Sequence, residues 1–181
     1  MGRDDAPLKL TMFEDFQCPF CLRFTAQDEP VLIEEYVKTG KLQIEFVNYP
    51  VLGRESVQAA VAGECAAEQD MFWEYHKELF ATQADANQDT NEVINRGRFS
   101  GPALQEIADI VGLDRAAFDD CLTSPEKLAI VEDDHSAAQA AGLRGTPNFL
   151  INGEVLGTNG TDPGGPDDWR ALLDQLLEDA D

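Results

Sequence analysis

Apolar and polar positions alternate from Leu8 to Phe13, the period of a half-buried strand, and this strand runs almost directly into Cys18. Beyond Pro19 the apolar residues Phe20, Phe24, Val31, Leu32 and Tyr36 fall mostly at helical spacing. Pro30 is expected to kink that helix and Thr39-Gly40 to end it. From Lys41 to Val47 alternation returns, with Leu42, Ile44 and Phe46 on one face, and Tyr49-Pro50 closes a second strand. The three elements make a βαβ unit whose helix begins at the cysteine.

The pattern then becomes helical for a long stretch. Ser56 to Gln69 is alanine-rich, Met71 to Thr82 is amphipathic, and Ala103 to Val111 and Ala116 to Leu122 follow. Ala84 to Thr90 reads as a polar loop and Arg96 to Pro102 as another break. Pro125 opens a further helix to about Ala141, with Gly142 as its cap. A hairpin comes next: Asn148 to Ile151, an Asn152-Gly153 turn of the type I′ dipeptide, and Glu154 to Leu156. The Gly160 to Pro166 segment reads as a turn, and Trp169 to Leu177 as a last amphipathic helix. The expectation is one α/β domain formed by residues 1–54 and 124–181, with an all-helical insertion at 55–123.

Composition narrows the function. A chain of 181 residues that is 43% hydrophobic can furnish a real core. Its longest apolar runs, such as Phe149-Leu150-Ile151, fall far short of the roughly 18 residues of a membrane span. No membrane insertion is expected, and the chain reads as soluble. With 35 acidic against 13 basic residues the formal charge is -22, which repels phosphate backbones and excludes nucleic acid as a natural partner. The acids are scattered as a solvated coat, and because molar salt screens such self-repulsion, a halophilic source is expected. The first residues, Met1 to Pro7, contain no apolar leader. Two histories fit: a cytoplasmic protein, or an extracytoplasmic one whose leader has been removed.

The candidate chemistry lies in Cys18-Pro19-Phe20-Cys21. Disulfide exchange requires a thiolate, and an ordinary cysteine, with a pKa of about 8.5, is mostly protonated at neutral pH. Cys18 precedes a helix whose unpaired N–H groups and positive dipole end favour its anion, so Cys18 is expected to face solvent and attack, and Cys21, one turn later, to resolve. A bare C-x-x-C is also half of many zinc sites. A structural zinc would want further ligands, however, and Cys65, Cys121, His76 and His135 are isolated in sequence. The expected metal content is none.

The segment Phe13-Glu14-Asp15-Phe16-Gln17-Cys18-Pro19-Phe20-Cys21 resembles the active-site segment of DsbA-like proteins, the branch of the thioredoxin superfamily with an inserted helical domain. Gly145-Thr146-Pro147-Asn148-Phe149-Leu150-Ile151-Asn152-Gly153 resembles that family's cis-proline loop and hairpin, and Phe72-Trp73-Glu74-Tyr75-His76 with Leu79-Phe80 resembles its insertion. The resemblance implies a thioredoxin fold, a central mixed sheet flanked by helices. It also implies a cis Pro147, with Thr146 presenting backbone groups to an extended substrate beside Pro19 and Phe20. Relatives often join the pair matching Cys65 and Cys121; two inert buried thiols are the alternative. One departure stands out: thioredoxins carry a buried acid six residues before the first cysteine, where this chain has Met12. Glu14 and Asp15 lie nearer in sequence and read as exposed loop acids without a catalytic role. His76 and His135 read as structural or solvated, and Arg144 as a groove neighbour.

The expected activity is protein thiol-disulfide exchange with no cofactor beyond the Cys18–Cys21 disulfide, oxidase or isomerase in direction. Its partners would be protein substrates with thiols or disulfides and a separate redox partner. Two other classes use the same residues: a redox-sensing or metal-binding module, and a glutathione-dependent small-molecule isomerase of the DsbA-like family.

Overall fold

The structure is a computed structural model and describes residues 1–85, 94–157 and 163–180. The chain runs β1 (Leu8–Glu14), α1 (Pro19–Gln27), α2 (Glu29–Leu32) continued by a π-helical turn (Ile33–Val37), and β2 (Leu42–Asn48). The helices α3 (Arg54–Ala67), α4 (Phe72–Asp85), α5 (Gly101–Val111), α6 (Arg115–Cys121) and α7 (Pro125–Ala140) follow. β3 (Asn148–Ile151), β4 (Glu154–Val155) and α8 (Pro166–Ala180) close the fold.

β1 is central to the sheet. It pairs in parallel with β2, from Leu8 opposite Leu42 to Glu14 opposite Asn48, and antiparallel with β3, from Leu10 opposite Ile151 to Phe13 opposite Asn148. β4 pairs antiparallel with β3, so the order is β2-β1-β3-β4, the mixed sheet of a thioredoxin fold. The parallel pair needs a crossover, which α1, α2 and the π turn supply. The crossover breaks at Asp28 instead of kinking at Pro30. Pro30 sits in the first turn of α2, where its missing N–H costs no helical hydrogen bond.

Strand alternation divides the core. Leu8, Leu10 and Met12 pack with Phe24, Leu32, Phe149, Trp169 and Leu173 on one face, and Phe13 packs with Tyr49, Ala138 and Leu143 on the other. The turn at Asn152 and Gly153, with φ of 51° and 84°, has the positive φ pair that a type I′ hairpin requires. The helices α3 to α6 pack on one another, and Cys65 on α3 is joined to Cys121 on α6 as a disulfide. Their core also takes in Phe16, Cys18, Cys21, Leu22 and Val131, so the α1 N-terminus is walled by the helical layer. Ala84 and Asp85, expected in a loop, are the last turn of α4. The rest of that expected loop, apart from these two residues, lies outside the described residues, as do Gly160, Thr161 and Asp162 of the expected Gly160 to Pro166 turn.

Candidate active site

The antiparallel register of β1 and β3 brings the two candidate segments together. Phe13 faces Asn148, so the loop leaving β1 and the loop entering β3 emerge at one edge of the sheet. The Thr146–Pro147 peptide bond is cis, and the Asn148 Nδ2 donates to the Gly145 carbonyl at 2.6 Å. At that junction the Cys18 Sγ lies 3.2 Å from the Thr146 carbonyl oxygen.

Buried polar side chains fix the loop ahead of Cys18. Asp15 Oδ1 accepts from the Gln17 N–H at 2.8 Å, and Oδ2 accepts from the N–H groups of Val51 and Leu52, each at 2.8 Å. The Cys18 N–H donates to the Asp15 carbonyl at 2.9 Å, closing a tight turn. Gln17 Nε2 donates to Ser56 Oγ at 2.9 Å, and Gln17 Oε1 accepts from the Asn95 N–H at 2.8 Å. Between them Phe16 stacks on Phe46 and leans on Phe80, with ring centroids 5.2 and 5.3 Å away. The loop is thus held from the sheet side and from the helical side at once.

Cys18 occupies the N-cap of α1 with an extended backbone, and Pro19 follows where a helix begins without needing an N–H donor. Cys18 and Cys21 carry free thiols. The Cys18 thiol is held below the ordinary cysteine range, first by a hydrogen bond from the Cys21 thiol. Burial opposes this, and hydrogen bonds from Thr146 and from the N–H groups of Cys21 and Phe20 add to it. Thr146 therefore acts in two ways. Its carbonyl accepts from the protonated thiol, favouring S–H, whereas its side chain favours the anion; the direction that prevails is downward, because the Cys21 and backbone donors act on the anion as well. Cys21 is pushed well above the ordinary range, chiefly by complete burial and then by its hydrogen bond to Cys18.

Two expectations need correction. Cys18 does not face solvent: only 3% of it is exposed, because the Thr146–Pro147 loop and the helical layer close over it. Glu14 and Asp15 are not exposed loop acids; each is 1% exposed. Strand alternation explains Glu14, which shares the face of Leu8, Leu10 and Met12 and so points into the interior as the last residue of β1. No described residue hydrogen-bonds its carboxyl, and burial pushes Glu14 up to about 8.

Of the remaining candidates, Thr146 and Pro147 are half-buried beside Cys18, and Pro19 is half-buried at its helix start. Phe20 is 54% exposed, with the Arg23 guanidinium 5.1 Å from its ring centroid. Pro19, Phe20, Leu22, Arg23 and Ala26 line a surface cleft of about 380 Å³ along α1. Cys65 and Cys121 sit in the core of the helical layer. His76 is buried, and His135 is half-buried and packs on Tyr49 with ring centroids 5.1 Å apart. Arg144 is exposed. Asp15, Gln17 and Asn95 shape the loop; from the sequence Asp15 reads as an exposed loop acid, and neither Gln17 nor Asn95 is given a role. The position of Asp15 three residues before a helix-capping cysteine was their available signal. Among the described residues no group of three or more His, Cys, Asp or Glu side chains is arranged to hold a metal ion.

This arrangement matches known proteins along most of the chain. A family model described as thioredoxin matches residues 1–175. A probable disulfide bond formation protein D of Bacillus anthracis is 34% identical over 157 residues, which cover 86% of this chain and 70% of that protein. The oxidised crystal structure of BdbD from Bacillus subtilis superposes with a TM-score of 0.79 at 25% identity, covering 98% of this chain and 91% of that one. The α-DsbA1 of Wolbachia pipientis shares the fold, with a TM-score of 0.81 at 22% identity over 99% of this chain and 90% of that one. The chain belongs to the thioredoxin family, among its DsbA-like thiol-disulfide oxidoreductases.

Proposed function

We propose that the protein oxidises thiols of protein substrates by donating a Cys18–Cys21 disulfide, with the dithiol itself as the only redox group. In the oxidised protein a substrate thiolate attacks Cys18 Sγ, the Cys18–Cys21 bond breaks, and Cys21 leaves as a thiolate that takes up a proton. A second substrate thiol, as thiolate, then attacks the substrate sulfur of the mixed disulfide. The substrate disulfide forms, Cys18 leaves as the thiolate its surroundings stabilise, and the protein is left reduced by two electrons. A separate redox partner restores the disulfide.

The observation that carries this reading is the unequal environment of the two sulfurs. Cys18 is at a helix N-cap among donors that favour its anion, and Cys21 is wholly buried and held protonated. A stabilised Cys18 thiolate makes the reduced form the more stable one, so the disulfide is readily given away. The half-buried Thr146 and Pro147 support docking of an extended substrate strand beside Cys18, and exposed Phe20 adds an apolar contact. The Cys65–Cys121 disulfide supports an oxidising, extracytoplasmic place of work.

Trapping tests the roles. Cys21→Ala, incubated with a reduced test protein and oxidant, should accumulate mixed disulfides that external thiol releases, and Cys18→Ala should accumulate none. Adducts on Cys18→Ala would invert the order of attack. Full activity in both variants would remove these cysteines from the reaction.

A further inference from the structure

The Cys21 thiol has no exposed surface, yet it gains or loses a proton in every exchange. Buried groups next to it bear on where that proton goes. The Glu14 carboxyl acts on Cys21 electrostatically from the end of β1, and its Oε2 lies 3.7 Å from Nε2 of His76 on α4. That separation is too long for a hydrogen bond, and both Glu14 oxygens and the His76 Nε2 are buried with no hydrogen-bond partner among the described residues. Buried polar groups are ordinarily paired, so three unpartnered atoms in one place call for an explanation. The rings of Phe16, Phe46, Phe72, Trp73 and Phe80 enclose His76 at centroid distances from 5.0 to 5.9 Å. Beyond this sheath His76 and Glu29 of α2 border a cleft of about 520 Å³, together with Thr25, Trp73, Glu74 and Lys77. The Glu29 Oε1 is likewise unpartnered.

The 3.7 Å approach of Glu14 and His76 is within ion-pair reach, but burial works against charge on both. Glu14 is pushed up to about 8, and His76 is driven down by the same desolvation, with Glu29 alone pulling it back up. At neutral pH the pair is a neutral acid beside a neutral imidazole. Glu29 itself is raised to about 7, first by burial, with His76 lowering it, Glu14 raising it and the amino group of Met1 lowering it. The groups facing this chain of sites are Cys18 and Cys21 on α1, Glu14 on β1, Glu29 on α2, His76 on α4 and the Met1 amino group, with Glu34, Glu74 and Lys77 lining the cleft where it ends. Raised to about 8 and about 7, Glu14 and Glu29 exchange protons near neutral pH, and among the described residues nothing hydrogen-bonds the Glu14 carboxyl, the His76 Nε2 or the Glu29 Oε1.

We propose that Glu14, His76 and Glu29 form a proton route between the Cys21 thiol and the cleft bordered by α2 and α4. The route rests on Cys21 being the resolving thiol. When a mixed disulfide stands on Cys18, the Cys21 S–H gives its proton to Glu14 in the fraction of molecules whose Glu14 is ionised, a fraction that grows up to about pH 8, and the Cys21 thiolate attacks Cys18 Sγ. The Cys18–substrate bond breaks, the Cys18–Cys21 bond forms, and the substrate sulfur leaves with the electron pair and takes a proton from solvent. Glu14 passes its proton to His76 Nε2, and from there it reaches Glu29 or water in the cleft. In the opposite direction neutral Glu14 protonates the departing Cys21 thiolate and is refilled along the same path.

Mixing the reduced protein with oxidised glutathione in a stopped-flow instrument separates the steps. Formation of the Cys18–glutathione disulfide depends on glutathione concentration, and its resolution by Cys21 does not. His76→Phe keeps a ring inside the aromatic sheath and removes the proton carrier; Glu29→Gln keeps the shape of the cleft wall. Both should slow resolution, His76→Phe by roughly tenfold or more, and leave the first phase at the parental rate. Resolution in the parent should quicken up to about pH 8, and Glu14→Gln should abolish that rise. Parental resolution rates in His76→Phe and Glu29→Gln overturn the route, and so does equal slowing of both phases, which would mark a packing defect. Failure of the parent to form any glutathione adduct on Cys18 would instead overturn the reading of the dithiol.

Discussion

The Sγ of Cys18 lies 3.2 Å from the carbonyl oxygen of Thr146, a residue 128 positions further along the chain. The pairing of β3 against β1 creates this contact and puts Thr146 among the groups that act on the sulfur, of which the Cys21 thiol acts most strongly. The reduced protein should show one thiol, Cys18, ionising below the ordinary cysteine range. Cys21→Ala removes the largest contribution to that depression and should move Cys18 upward; Cys21→Ser keeps a donor and should move it less. Thr146→Val, which deletes the hydroxyl, should also raise it. Ultraviolet absorbance of the thiolate against pH measures all three, and an unmoved Cys18 in Cys21→Ala and Thr146→Val would eliminate both hydrogen bonds as causes.

Glu14 ties stability to pH with a definite sign. Its folded pKa is raised from 4.5 to about 8, so its contribution is fully present below about pH 4.5 and is lost as pH rises to about 8. At 1.36 kcal/mol per unit the shift corresponds to roughly 5 kcal/mol, an order-of-magnitude figure for a buried carboxyl. Glu14→Gln stays neutral throughout. Urea denaturation at pH 5 and pH 9 should show the variant gaining several kcal/mol on the parent between the two, and a constant difference would show that Glu14 is ionised in the folded protein.

The Cys65–Cys121 bond closes a loop with a sequence separation of 56, for which chain entropy gives about 4 kcal/mol of stabilisation. The double replacement Cys65→Ala/Cys121→Ala should lower stability by about that amount and leave the Cys18 titration in place. Unfolding by denaturant reads the first effect and thiolate absorbance the second. A loss under about 1 kcal/mol would mean that α3 and α6 are held by packing alone.

Charge predicts a response to salt. With a formal charge of -22, the folded chain repels itself, and raising potassium chloride from about 0.1 M to about 1 M shortens the screening length from about 10 Å to about 3 Å. The melting temperature should climb over that range, as a halophilic origin requires. A flat melting series would sink both the repulsion argument and the halophilic origin.

Strand and helix placement was legible because period and punctuation agree: Leu8, Leu10 and Met12 alternate into β1, Pro19 and Pro125 open α1 and α7, and Asn152-Gly153 turns the hairpin. The dithiol was legible because helix starts and cysteine spacing are local signals. Burial at the strand end was harder to read. Glu14 continues the inward face of β1, and only its acidity argued for solvent, although alternation was the stronger signal. The covering of Cys18 was not readable at all, since it arises from a loop and a helical layer far off in sequence. The same holds for the clamp of Asp15 on Val51 and Leu52 and for the contact of Gln17 with Asn95.

Phe16, two residues before Cys18, has its ring in the core of the helical layer against Phe46 and Phe80. Opening of that layer would pull this ring out and unseat the turn that presents the sulfur. Cooperative units of a fold are those whose contacts must break together, so α1 and α4 should open as one unit and not as separate ones. Amide exchange should then show matched protection at Cys21 and Leu79, and a substrate that stiffens the dithiol loop would slow exchange across the helical layer as well.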